Sequence, residues 1–182
     1  PSSGDSAGDA RPFVSVVIPA RNEARAIDAC LEALTNQTYP AARMEVIVVD
    51  GTSEDATRAH VLAARTWFPS GHLRLLSNPD RIIPKALNLG IAAARGSIIV
   101  RMDAHSAAEP TYVAACVEAL RRTGASVVGG SIRPVAAAGF ARAVALAQTH
   151  PFGSGGARFH HGGSEADVDT VYLGAYLRST IE

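Results

Sequence analysis

Between Phe13 and Val128 the chain repeats one rhythm: a short run of branched apolar residues, then a longer stretch with apolar residues at helical spacing. No other feature limits the possible folds as strongly. Val14, Val16, Val17 and Ile18 make a nearly continuous apolar run, the pattern of a strand covered on both faces. Ile27, Cys30, Leu31 and Leu34 follow as one stripe of an amphipathic helix. Val46-Ile47-Val48-Val49 reads as a second strand ending at Asp50, and Ser53 is a natural N-cap for the helix after it. Leu73, Leu75 and Leu76 suggest a third, weaker strand. The next helix is expected from about Ile83 to Arg95, closed by Gly96 as a C′ glycine, and Ile98-Ile99-Val100 is a fourth strand. Pro110 is placed to open another helix at its first position, with Val113, Cys116, Val117 and Leu120 on the buried side, and Val127-Val128 starts a further strand. Strand–helix units repeated in this way predict an α/β fold: one mostly parallel central sheet with helices on both faces.

The two ends of the chain read differently. Residues 1–12, rich in Ser, Gly, Asp and Ala, are expected to be a flexible leader, which leaves 13–182 as one domain. After Pro134 the rhythm changes. Ala136–Gln148 reads as an Ala-rich helix, Pro151–Gly163 as a flexible Gly/His/Ser-rich loop, and Val168–Tyr176 as a late strand. The chain then stops at Glu182 with no terminal helix expected, so it reads as truncated at the C-terminus.

Composition removes several function classes. Lys plus Arg and Asp plus Glu both total 17, and a chain of zero formal charge lacks the basic surplus of a nucleic-acid binder. At 47% hydrophobic residues it has enough apolar side chains for a core. No uncharged apolar run approaches the roughly 18 residues of a bilayer span. Cys30 and Cys116 lie far apart with no C-x-x-C spacing and sit on apolar helix faces, which predicts inert core thiols. A soluble, cytoplasmic domain is the expectation.

In open parallel sheets, ligands bind beyond the carboxyl ends of the strands. Three polar clusters fall there: Pro19-Ala20-Arg21-Asn22-Glu23, Asp50-Gly51-Thr52-Ser53 and Asp103-Ala104-His105. With Ser53 assigned to capping, Asp50 is left to accept hydrogen bonds from a ligand. Asp103 and His105 are one residue apart, and in an extended segment they point to the same side. A carboxylate plus an imidazole suits a divalent ion such as Mn²⁺ better than Mg²⁺, which prefers oxygen ligands. Arg81 and Lys85, near the start of the third helix, could neutralise phosphates with help from the helix dipole. The G-x-G-x-x-G dinucleotide loop, the G-x-x-x-x-G-K-[ST] phosphate loop and the G-x-S-x-G elbow are missing from these turns.

Taken in order, these segments resemble family 2 glycosyltransferases of the GT-A fold. Val14 to Glu23 is similar to that family's opening strand and loop, and Val48 to Thr57 to its second motif. Lys85 to Ile91 with Arg95-Gly96 resembles the helix before its metal motif, and Met102-Asp103-Ala104-His105 stands where the family carries D-x-D. Asp-Ala-His itself, with Pro151-Phe152-Gly153, Ala157-Arg158-Phe159 and Asp169 to Ala175, looks closest to the succinoglycan-biosynthesis branch.

The resemblance implies a Rossmann-like nucleotide-binding part over about 13–105 and an acceptor-side part over about 106–182. Pro19, Ala20, Arg21, Glu23 and Asp50 would surround the base and ribose, most often uridine. Arg81 and Lys85 would hold base or diphosphate, Asp103 would face ribose and metal, and His105 would complete the metal-ligand pair. The implied reaction moves a sugar from a nucleotide diphosphate to a sugar or lipid-linked acceptor hydroxyl, with inversion, in bacterial polysaccharide or glycolipid assembly. It also implies possible membrane association through segments not present here, at the cytoplasmic face. The family's general base follows a late segment that has no match before Glu182. Glu165, Asp167 and Asp169 do not fit that motif, so no base is assigned and poor turnover is expected of this stretch alone. A nucleotidyltransferase, or a donor-binding domain that is catalytically incomplete, are the alternatives. The Pro-Ala-Arg-Asn-Glu turn, lacking the Gly-rich loop of nucleotidyltransferases, disfavours the first.

Overall fold

The computed structural model describes residues 11–131, 165–168 and 170–181. The expected leader falls almost wholly outside these residues, as do the Ala136–Gln148 helix, the Pro151–Gly163 loop and Asp169. The elements run β1 (Val14–Ala20), α1 (Ile27–Thr35), β2 (Met44–Asp50), α2 (Thr57–Ala63), β3 (Leu73–Ser77), α3 (Ile83–Ala93), β4 (Ile98–Arg101), α4 (Tyr112–Thr123), β5 (Val127–Gly130), β6 (Tyr172–Leu177) and α5 (Arg178–Ile181).

The sheet order is β3-β2-β1-β4-β6-β5. β1 pairs in parallel with β2 on one side and β4 on the other, and β3 is parallel to β2. The chain therefore reverses its direction of travel across the sheet between β1 and β4, the position where open α/β sheets leave a crevice at the strand ends. The late strand expected near residue 170 is present as β6. It is inserted antiparallel between β4 and β5, with Ile99 opposite Tyr176 and Val128 opposite Ala175.

Alternation along the strands sorts the core into two layers. Val14, Val16 and Ile18 join Val46 and Val48 beneath α1, α2 and α4, meeting Leu31, Val61, Val113 and Cys116. Val17, Ile47, Val49 and Ile99 face the other way, against Ala86 and Ala94 at the two ends of α3. Helices thus cover both faces, as the apolar runs predicted. Gly90 lets α3 lie close on this second face, because a Cβ there would stand 2.3 Å from Val17 Cγ1.

Four local expectations are corrected. α2 begins at Thr57 without a side-chain cap, so Ser53 does not cap it. α3 ends at Ala93, and Gly96 is not a left-handed C′ residue. Gly96 is required by space: a Cβ there would meet Ser15 N at 2.6 Å and Phe13 O at 2.7 Å. α4 begins at Tyr112 rather than Pro110, whose carbonyl accepts a bond from Thr38 N–H. Leu177 leads into α5, a short helix where no terminal helix was expected.

One buried polar cluster ties the lower part of the sheet together. Glu45 is fully buried. Its carboxylate accepts from the Ser15 hydroxyl (2.7 Å), the Arg95 backbone N–H (2.7 Å) and Arg95 Nε (2.9 Å), while Ser15 Oγ accepts from Gly96 N–H (2.9 Å). β1, β2 and the α3–β4 connection are therefore pinned at a single point. Burial pushes the Glu45 carboxyl pKa up, but these bonds and the Arg95 charge outweigh it and hold the group below the usual carboxylate range.

Candidate functional site

On the α3 face, the helix stops short of the carboxyl ends of the strands. Val17, Ile47, Val49 and Ile99 lie under it, whereas Pro19 and Arg101, two residues beyond Val17 and Ile99, line with the edge of Val49 an open cleft of about 210 Å³. The entrance to α3 (Ile82, Ile83 and Ala86) forms one wall. The other walls come from the strand ends: Ala20 closing β1 with Arg21 and Glu23 after it, Gly51 after β2, Asn78 and Arg81 after β3, and Asp103, Ala104 and His105 after β4.

The loops around this cleft are held by one another. Ser53 Oγ accepts from the Asn22 backbone N–H (2.9 Å) and Asn22 Oδ1 accepts from Glu54 N–H (2.9 Å). Thr57 Oγ1 accepts from Glu23 N–H (2.8 Å), and Asp55 Oδ2 from Ala24 N–H (3.1 Å). Hydrogen bonds from Thr57 hold the Asp55 carboxyl below its ordinary range. A non-glycine residue with left-handed backbone occurs once in each of the loops after β1, β2 and β3: Asn22 (φ 55°), Thr52 (φ 60°) and Arg81 (φ 60°). Such conformations are costly and persist where surrounding contacts over-determine them.

Pro19, Ala20, Arg21, Glu23, Arg81, Asp103 and His105 all line the one cleft. Asp50 and Lys85 do not. The Asp50 side chain is fully buried beside the cleft, where Arg58 Nη1 donates to Oδ2 (2.8 Å) and Ser53 N–H approaches both oxygens at 3.3 Å. Lys85 points its Nζ to within 4.0 Å of Asp80 on the exposed side of α3.

The two candidate metal ligands each have a partner. Arg101 Nη2 donates to Asp103 Oδ1 (3.2 Å), and His105 Nδ1 lies 3.1 Å from Glu23 Oε1. No cluster of three or more His, Cys, Asp or Glu side chains arranged for a metal occurs among the described residues. Asp103 and His105, a carboxylate and an imidazole, are of the donor types that hold a divalent ion, and both line the cleft. Cys30 packs underneath, with its Sγ near Asp103 O (3.6 Å). Burial first, and then the charges of Asp103 and Glu23, push its thiol up to about 12.

Two polar cleft residues, Asn78 and Arg101, were not among the sequence candidates. Asn78 follows the last residue of β3, so the strand-end rule applied to the third strand would have found it. Its Nδ2 donates to Ile82 O (3.0 Å) while its buried Oδ1 has no partner among the described residues. Arg101, a lone charge ending an otherwise apolar strand, carried a sequence signal of its own. Counting guanidinium groups against carboxylates, the lining holds Arg21, Arg81 and Arg101 against Glu23 and Asp103. The lining thus carries one more cationic than anionic residue, although the chain as a whole is neutral.

No described helix is long and apolar enough to cross a membrane. Among curated proteins, the chain is 35% identical over 121 residues to the glycosyltransferase AglE of Haloferax volcanii, covering 66% of this chain and 40% of AglE. It is 34% identical over 149 residues to the succinoglycan biosynthesis protein ExoA of Rhizobium meliloti, covering 81% of this chain and 44% of ExoA. It thus spans less than half the length of either. Among solved structures, the mannosyltransferase PcManGT of Pyrobaculum calidifontis, in complex with GDP-Man and Mn²⁺, superposes with a TM-score of 0.66. That match is 26% identical and covers 94% of this chain and 46% of PcManGT. The model of the family described as Glycosyl transferase family 2 matches residues 15–180, and the chain belongs to that family.

Proposed function

We propose that the cleft binds a nucleotide-diphosphate sugar, and that the protein to which this domain belongs transfers the sugar, with inversion, to a hydroxyl of a sugar or lipid-linked acceptor. The observation that carries this reading is the gathering of three arginine residues with Asp103 and His105 around one cleft at the β1/β4 switch point. An anionic ligand with an attached cation matches that set of groups. The GDP-Man and Mn²⁺ of PcManGT support both elements. A uridine nucleotide is the donor we favour, from the motifs shared with the family. The similarity to the succinoglycan biosynthesis protein ExoA supports polysaccharide assembly as the setting; the cytoplasmic face of a membrane is the location we favour from the family resemblance.

In this reading residues about 13–105 hold the nucleotide and about 106–182 face the acceptor. Pro19, Ala20, Arg21 and Glu23 enclose the base and ribose. Arg81 holds base or diphosphate, with Lys85 contributing long-range charge from the first turn of α3. Asp50, buried beside the cleft and held by Arg58, would stand at the ribose side. Asp103 and His105 would hold a divalent ion, Mn²⁺ in preference to Mg²⁺, which when bound neutralises charge on the leaving diphosphate. The chain's own part is to bind the donor, orient its anomeric carbon and keep the phosphate charge compensated as it grows. The proton acceptor for the incoming hydroxyl lies outside the residues assigned here.

Calorimetric titration tests this. UDP is expected to bind the protein in Mn²⁺ buffer, with affinity falling at least several-fold in chelator, and GDP to bind less tightly. Absence of binding by either nucleotide in Mn²⁺ would overturn the proposal.

A further inference from the structure

Among the described residues, Arg101 is the cleft cation with a buried donor that nothing satisfies. It ends β4, in register with Val17 of β1, and projects from the face that α3 covers further down. A guanidinium carries five N–H donors in a planar fork. Among the described residues, Arg101 shows one bond, to Asp103 Oδ1 at 3.2 Å, long for a charge-assisted contact whose usual range is about 2.7–2.9 Å. Its Nε is buried with no hydrogen-bond partner. A buried donor left unmade is costly, and at the edge of a cleft an anionic ligand can offset the cost. The partner it does have, Asp103, is the carboxylate placed to hold a cation. Arg101 therefore stands where an ion would bring its own positive charge.

We propose that Arg101 is a diphosphate-binding residue stored on Asp103 in the unliganded protein. When a cation engages Asp103, Arg101 is released, and its fork takes two oxygens of the nucleotide diphosphate, satisfying Nε and a terminal nitrogen together. Ion and diphosphate are thereby coupled: each makes the other's binding group available, so each raises the other's affinity. The inference rests on the nucleotide reading above. It adds a residue and an order of partners that the strand-end motifs do not contain.

The test uses Arg101→Gln and Arg101→Lys beside the wild-type chain, with far-ultraviolet circular dichroism and urea midpoints confirming that each folds. UDP affinity is measured by calorimetry in chelator and in Mn²⁺. Mn²⁺ affinity without nucleotide is measured separately by electron paramagnetic resonance of the free ion. Loss of a charge-assisted fork should weaken UDP binding in Mn²⁺ roughly ten- to a hundredfold in Arg101→Gln, with partial recovery in Arg101→Lys. Mn²⁺ alone should bind the Gln variant several-fold more tightly, because Asp103 has lost its competitor. A residue that merely orients Asp103 would give the opposite sign for Mn²⁺. UDP affinity within twofold of wild type, or weaker Mn²⁺ binding in the Gln variant, would overturn the proposal while leaving the nucleotide reading intact. Wild-type protein that binds no UDP or GDP would overturn both.

Discussion

Replacing Glu45 with glutamine alters the shape of the buried cluster least and its chemistry most. The substituted amide keeps an oxygen that can accept from the Ser15 hydroxyl and the Arg95 N–H, which both lie at 2.7 Å in the native cluster. It presents an NH₂ where the carboxylate met Arg95 Nε at 2.9 Å and Arg74 Nη1 at 3.4 Å. The first of these is a good charge-assisted bond, of about 1.5–3 kcal/mol where buried. The second is too long to count for much. Arg95 is about half exposed (52%), so water replaces part of its loss, but the new amide N–H has no water and faces donors. A destabilisation of about 2–3 kcal/mol follows, read as a lower urea midpoint with unchanged slope.

The pH dependence provides a second, independent reading. The folded pKa of Glu45 is lowered, so the stability it contributes is fully present above the unfolded value of roughly 4.3 and is lost as pH falls through the folded value. The gap between wild type and Glu45→Gln should therefore be widest near neutrality and narrow below about pH 4. A gap under about 0.5 kcal/mol at pH 7, or one that stays constant on acidification, would refute the assignment of Glu45 as an ionised anchor.

Gly90→Ala should destabilise the protein by about 1–3 kcal/mol, because its Cβ would stand 2.3 Å from the fully buried Val17 and α3 must shift to admit it; a urea midpoint equal to wild type would show that the contact yields freely. The thiols give a simpler check. Burial foremost raises Cys30 to about 12 and Cys116 to about 11, so iodoacetamide at pH 8 should modify neither at an appreciable rate until denaturant is added, and mass spectrometry of the folded chain should show no adduct.

Much of the fold is legible because burial on both faces leaves a dense signature. β1 and β2 are apolar at almost every position, and the four buried residues of α1 are the four that its spacing marks: Ile27, Cys30, Leu31 and Leu34. What local pattern does not carry is pairing across long separations. β6 enters between β4 and β5 because its Tyr172–Leu177 backbone meets Ile98–Val100 and Val127–Gly130, and no spacing within either segment encodes that choice. Ser53 fails as a cap for a related reason. Its hydroxyl has the chemistry of an N-cap, but Asn22, which is 31 positions away, supplies a backbone N–H first, and the helix starts at Thr57. Gly96 is a glycine for the sake of the strand beside it, again a tertiary reason inside a local-looking motif.

The candidate site separates two questions that sequence position alone merges. Strand ends identify which polar groups can reach a ligand, and they bring Arg21, Glu23, Arg81, Asp103 and His105 into one cleft. Whether a group is still available depends on what the folded chain has already given it. Asp50 stands at a strand end yet is consumed by Arg58 and the Ser53 N–H, since a buried carboxylate recruits partners from wherever the fold can supply them. Arg101 and Asn78 were not candidates by motif, and they are the two described residues with buried side-chain atoms that lack partners. Both atoms belong to residues lining the cleft. Under the proposed function, a bound nucleotide is what would complete these two atoms, so unspent hydrogen bonds single out cleft residues that residue type and motif position do not.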